Sequence, residues 1–148
     1  MKRFLPIYLM FIATLTLHAT IRVPQILAIQ LNPKTDTLIW EYTGAKNLAN
    51  GDLINVSGRF VTYGSKQIEW IQVGGEKIVF LVKSTDGVWV DVQQNGTTIY
   101  EIKLNHANGH IKVERSNGGL QLALHLDKTH TLPTDYIFSI TSVKKSIN

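Results

Sequence analysis

The chain has 148 residues, with 15 Lys and Arg against 11 Asp and Glu, a formal net charge of +4 and no cysteine. That length suits one domain with a core of its own. The lack of cysteine excludes a disulfide framework and a thiol nucleophile, so an exported chain of this kind must hold itself together by packing.

Lys2 and Arg3 head an almost unbroken apolar run from Phe4 to Leu17, and Ala19 follows as a small residue at a plausible cleavage point. Basic head, apolar run and small residue together make a secretory signal peptide, expected over residues 1–19. The run is shorter than the roughly 18 apolar residues of a membrane span, so stable membrane insertion after cleavage is not expected. The expected compartment is secreted or periplasmic. Loss of Lys2 and Arg3 lowers the formal charge from +4 to +2. The remaining charges are scattered, with Lys144-Lys145 the one adjacent basic pair. No basic stripe tracks a phosphate backbone, and nucleic-acid binding is not expected.

Residues 20–148 read as a single domain without repeat, linker or low-complexity segment. No stretch has a helical period. Strand-like runs recur instead at 25–31, 37–43, 53–63, 67–73, 77–83, 88–93, 97–104, 110–115, 120–126 and 136–143. Turn formers separate them: Asn50-Gly51-Asp52, Tyr63-Gly64-Ser65, Gly74-Gly75, Asp86-Gly87, Asn95-Gly96, Asn108-Gly109 and Asn117-Gly118-Gly119. Gly and Asn accept the positive φ that tight hairpins need, and such close spacing predicts an antiparallel meander.

Apolar side chains alternate along these runs, which marks half-buried strands. Leu38, Trp40 and Tyr42 share a face. So do Ile54, Val56 and Phe60; Ile68 and Trp70; Tyr100, Ile102 and Leu104; Ile111 and Val113; Leu120, Leu122, Leu124 and Leu126; and Phe138 and Ile140. Residues 86–103, DGVWVDVQQNGTTIYEIK, predict a hairpin about Asn95-Gly96, with Val88, Val90 and Val92 inward and Trp89, Asp91 and Gln93 outward. Residues 77–83 leave no polar face, which predicts a strand covered on both sides.

About eight to ten such strands have two good solutions, an up-and-down barrel or a two-sheet β-sandwich. The short consecutive hairpins favour the all-β antiparallel meander barrel, because closure removes edge strands and sandwiches need longer crossing connections.

The export signal, the segment Trp40-Glu41-Tyr42-Thr43-Gly44 opening the meander, and the hairpin-linked strands from Leu53 to Val143 resemble the small bacterial lipocalin-like (calycin-type) proteins. The resemblance spans most of residues 20–148. The glycine of the family's Gly-x-Trp pattern is Leu38 here, and Lys144 or Lys145 stands where the family often carries a basic residue near the last strand. The resemblance implies a barrel that carries a small apolar molecule.

Catalytic signatures are lacking. Gly-x-Ser-x-Gly and a Gly-rich phosphate loop are both missing, so an enzyme is not expected, nor a cofactor. His106 and His110 are the one closely spaced histidine pair, but they flank a Gly-containing turn and not a helix face, so a metal site is not expected. Asn55 and Asn95 head glycosylation-type triplets, and Asn95 is better explained by its turn. The inward aromatic set Trp40, Tyr42, Trp70, Phe80 and Tyr100 is the expected ligand-binding set, with Gln72 and Thr98 as scarce polar neighbours. The alternative is a surface module that grips a glycan or a protein partner through an exposed Trp89.

Overall fold

A computed structural model describes residues 29–127 and 135–147. The expected signal peptide and the first part of the run 25–31 lie outside these residues. The strands are β1 (Thr37–Asn47), β2 (Leu53–Ile54), β3 (Gly58–Tyr63), β4 (Gln67–Ile71), β5 (Lys77–Asp86), β6 (Gly96–Leu104), β7 (Ala107–Ser116), β8 (Gly119–Leu126) and β9 (Asp135–Lys145). Each of β3 to β8 pairs antiparallel with the next. β1 pairs with β3 on one edge and with β9 on the other, which closes an eight-stranded barrel. The β1–β9 ladder excludes the sandwich. β2 is one extra short strand beside the far end of β1.

The core is the inward face that period-two alternation predicts. Leu38, Trp40, Phe60, Ile68, Phe80, Tyr100, Ile102, Ile111, Val113 and Leu122 are fully enclosed. Cross-strand rows carry this packing around the wall: Trp40 opposes Phe60, Phe60 opposes Trp70, and Trp70 opposes Ile78. Such directly opposed aromatic and branched pairs are the unit of sheet stabilisation.

The two ends differ. One is plugged by residues 29–36, which run into β1. Pro33 is buried, and its carbonyl accepts a hydrogen bond of 2.6 Å from the Tyr100 hydroxyl. The Val92 amide donates to the Leu31 carbonyl at 2.9 Å, and Arg115 Nε donates to the Val92 carbonyl at 2.6 Å. Asp36 receives the Asn32 amide at 2.9 Å and pairs with Lys145 at 2.7 Å. The Leu31 and Pro33 carbonyls and the Asn32 amide thereby find partners.

Three local expectations are corrected. Residues 88–93 are not a strand and Asn95-Gly96 is not the hairpin turn. β5 continues to Asp86 past an irregularity between Val82 and Ser84 and pairs with β6, and residues 87–95 form a loop over the plugged end. Gly87, at φ 96°, redirects the chain there, a conformation costly to any side chain. The alternation therefore fails at three positions: Val88 is 94% exposed, Val90 is exposed and Trp89 is only 4% exposed, whereas Val92 is buried as expected. Residues 77–83 are not covered on both sides. Phe80 is buried, but Val79 and Leu81 face outward and are exposed, since a barrel has one interior only. Asn108-Gly109 is not a turn either. The chain reverses at Asn105-His106 with Asn105 at φ 54°, and Gly109 lies inside β7 where a methyl group would strike the His125 carbonyl.

Candidate functional site

The unplugged end is a cup of about 480 Å³. It is formed where β1 reaches β2, where β3 begins, at the β4–β5 turn and at the start of β9. Tyr42, Trp70, Tyr136 and Phe138 make its floor; Ala45, Ile54, Val56, Val73 and Ile78 make its walls; Ser57, Gln72 and Glu76 supply its polar groups.

Local sequence explains why the space is left. Bulges on both sides of Tyr42 shift the β1–β9 register and bend β1. The run 53–63, expected as one strand, breaks at Asn55, Val56 and Ser57, so that Gly58 rather than a larger residue meets Tyr42. A methyl group on Gly58 would lie 2.7 Å from Tyr42 Cζ and 2.8 Å from the Ile71 carbonyl. The break separates β2 from β3 at the mouth, and the glycine lets β3 pass close to Tyr42.

The floor is a cluster of mutually oriented rings. Phe60 stacks on Trp70 with centroids 5.6 Å apart and planes 12° apart. Phe138 meets Trp70 edge-on at 5.4 Å and Tyr42 at 4.8 Å. Tyr136 lies 6.4 Å from Trp70. Offset and edge contacts of this kind place positive ring edges against negative faces. Trp70 Nε1 donates to the Tyr42 hydroxyl at 2.9 Å. Burial raises the Tyr42 pKa, against the lowering effect of the Trp70 bond, so the phenol stays neutral. Its own proton has no acceptor among the described residues and is free to meet a ligand oxygen.

Of the expected ligand-binding set, Tyr42 and Trp70 line the cup. Trp40, Phe80 and Tyr100 lie deeper, in the closed half of the barrel, each fully enclosed. Trp40 Nε1 donates to Thr62 Oγ1 at 3.0 Å, and burial raises the Tyr100 pKa. Beside Ile54 and Tyr136, the cup also recruits two residues that alternation did not single out, Val73 and Glu76. Tyr136 and Phe138 were legible as one face of β9; Val73 and Glu76 belong to a turn, where no period marks a direction.

Trp89 is corrected from surface to interior. Its ring lies 6.3 Å from Trp40, and its Nε1 donates to the Gln94 carbonyl at 2.9 Å. The histidines fall into a different pair from the one their spacing offered. His106 sits in the β6–β7 turn, whereas His110 stands directly across from His125, with ring centroids 5.0 Å apart. Asp135 pairs with His125 Nδ1, and Glu101 opposes His110, so the four groups form a row across β6 to β9 on the outer wall. Among the described residues no three His, Asp or Glu are grouped to hold a metal ion. Lys144 and Lys145 make ion pairs with Glu41 at 2.6 Å and Asp36 at 2.7 Å. Among the described residues no helix is long and apolar enough to cross a membrane.

Comparisons with family models, with curated proteins and with solved structures return no match.

Proposed function

We propose that this chain is an exported, non-enzymatic, lipocalin-like protein, secreted or periplasmic, that holds one small apolar molecule in the cup at the open end of its barrel. The carrying observation is the asymmetry of the barrel: one end is stoppered by its own chain through Tyr100 and Pro33, while the other keeps about 480 Å³ floored by Tyr42, Trp70, Tyr136 and Phe138. A concave, largely apolar space of a few hundred Å³ with a few convergent polar groups is the usual makeup of a small-molecule site. The depth of ligand entry is then set by Trp70 and Phe138, and Trp40, Phe80 and Tyr100 serve as the packed base beneath it.

Native mass spectrometry of protein purified from its own host tests the reading, followed by titration with hydrophobic dyes. The expected result is a retained small molecule, or dye uptake that Trp70→Ala removes. Purified protein that carries nothing and excludes every dye would end the proposal. The alternative of a glycan or protein surface rested on an outward Trp89 and on the apolar run 77–83; burial of Trp89 removes the first support, and Val79 and Leu81 of that run are exposed.

A further inference from the structure

We infer that the cup selects a cationic amphiphile: an apolar body on the aromatic floor and a protonated or quaternary amine at the rim. This rests on the proposed function and specifies its ligand class.

Three observations converge. First, of the described residues that line the cup, Glu76 alone carries charge. It makes no ion pair among the described residues, although an ammonium group follows it directly in sequence: Lys77 Nζ is turned to the outer wall, 3.2 Å from Glu69. Lys46 is likewise an outward position, because Ala45 beside it points into the cup. A carboxylate ligand would therefore enter a site with an unneutralised like charge and no cation to receive it. Second, Phe60 covers one face of Trp70, and the remainder of the indole borders the cup together with Tyr136. Indole and phenol rings attract an ammonium group through their quadrupoles, most strongly where water is excluded. Third, the other polar groups at this end, Ser57, Gln72 and the Tyr42 hydroxyl, are neutral and can serve an amine's substituents or an ether or hydroxyl oxygen. The chain's net positive charge opposes a cation only weakly, since charges beyond about 10 Å are screened at 0.1 M salt and Glu76 is the near one.

The test uses three probes of equal chain length, below their micelle concentrations: decyltrimethylammonium, decanol and decanoate. Binding is followed by calorimetry and by tryptophan emission, on the wild type and on Glu76→Gln. The expected order is ammonium, then alcohol, then carboxylate, with the ammonium favoured over the alcohol by about tenfold from ring and carboxylate together. Glu76→Gln should weaken the ammonium by about two- to fivefold, as for an exposed charge pair, leave the alcohol unchanged and improve the carboxylate. Equal binding of all three, tighter binding of decanoate, or an order indifferent to Glu76→Gln overturns the inference while leaving the cup a binding site. Failure of all three probes together with hydrophobic dyes overturns the proposed function and this inference with it. Glu76 is exposed in the β4–β5 turn, so the substitution tests binding without disturbing the fold.

Discussion

Replacing Trp89 with alanine tests how the plugged end is closed. The side chain is 4% exposed, packs 6.3 Å from Trp40 and donates to the Gln94 carbonyl at 2.9 Å. Truncating a buried Trp costs about 3–5 kcal/mol, through lost transfer energy and the cavity left behind. For a domain of this size that corresponds to a fall of about 10–20 °C in Tm. Trp89→Phe keeps most of the packing and loses the hydrogen bond, a cost of about 1–2 kcal/mol. The opposite wall of the same contact is Gly96, where a methyl group would sit within contact distance of the indole. Gly96→Ala should therefore cost about 1–3 kcal/mol by overpacking in the wild type. In the Trp89→Ala background the same methyl group has room and should cost far less, so the two substitutions are strongly coupled. Urea unfolding of the four species, followed by circular dichroism, gives the cycle. A Trp89→Ala protein that melts with the wild type, or a Gly96→Ala cost identical in both backgrounds, would refute the placement of the ring. A surface-binding tryptophan would give both.

Three further outcomes are expected. Tyr42→Phe removes the hydroxyl that accepts from Trp70 Nε1, costing about 1 kcal/mol in urea unfolding and shifting the Trp70 emission; unchanged stability and emission would show that the bond at 2.9 Å contributes nothing. The hydrogen bond from Lys145, with the Asn32 amide, holds the Asp36 pKa below its ordinary value, so its stabilisation is present above about pH 4 and is lost as the pH falls through the lowered folded value. Asp36→Asn should thus cost about 1–2 kcal/mol at neutral pH and almost nothing in strong acid, and a cost that persists in acid would sink the ion-pair explanation. Thr98 Oγ1 is buried without a hydrogen-bond partner among the described residues, so Thr98→Val should leave stability unchanged or raise it by up to about 1 kcal/mol; a clear loss in thermal unfolding would reveal a buried water held by the hydroxyl.

What the sequence made legible is what has a period. Leu120, Leu122, Leu124 and Leu126 alternate with Gln121 and His125, and they all face the interior because a β-strand repeats every second residue whatever its neighbours do. The same reasoning misdirected Val88 and Val90, which are exposed, although Val92 is buried as it predicts. Three valines at alternate positions look like a strand face, but period two signals burial only while the backbone is extended. Gly87 at φ 96° and the Asp91 side chain, which accepts the Gln93 amide at 3.0 Å, curl the segment into a loop. Val88 and Val90 are then exposed at little cost, and the large indole takes an interior place beside Val92. The loop's direction depends on Gly96 lying beneath that indole, a contact no local pattern records.

The site was half legible for the same reason. Periodicity marks which residues face inward, and so it brought Tyr42 and Trp70 together with Trp40, Phe80 and Tyr100 as one aromatic set. It does not say how far along the barrel each residue lies, or where the chain crosses the interior. Those follow from non-local facts: the Tyr100 hydroxyl finding the Pro33 carbonyl 67 residues away in sequence, and the break at Asn55–Ser57 opposite the bulges around Tyr42. Once Pro33 occupies one end, Tyr100, Trp40 and Phe80 become floor beams with no free surface, and only rings on the far side of Phe60 keep any. The division between core and cup is therefore decided by the stopper as much as by the strands. Loosening the stopper by Tyr100→Phe, which leaves the Pro33 carbonyl without its buried donor, should lower stability without altering the chemistry of the mouth.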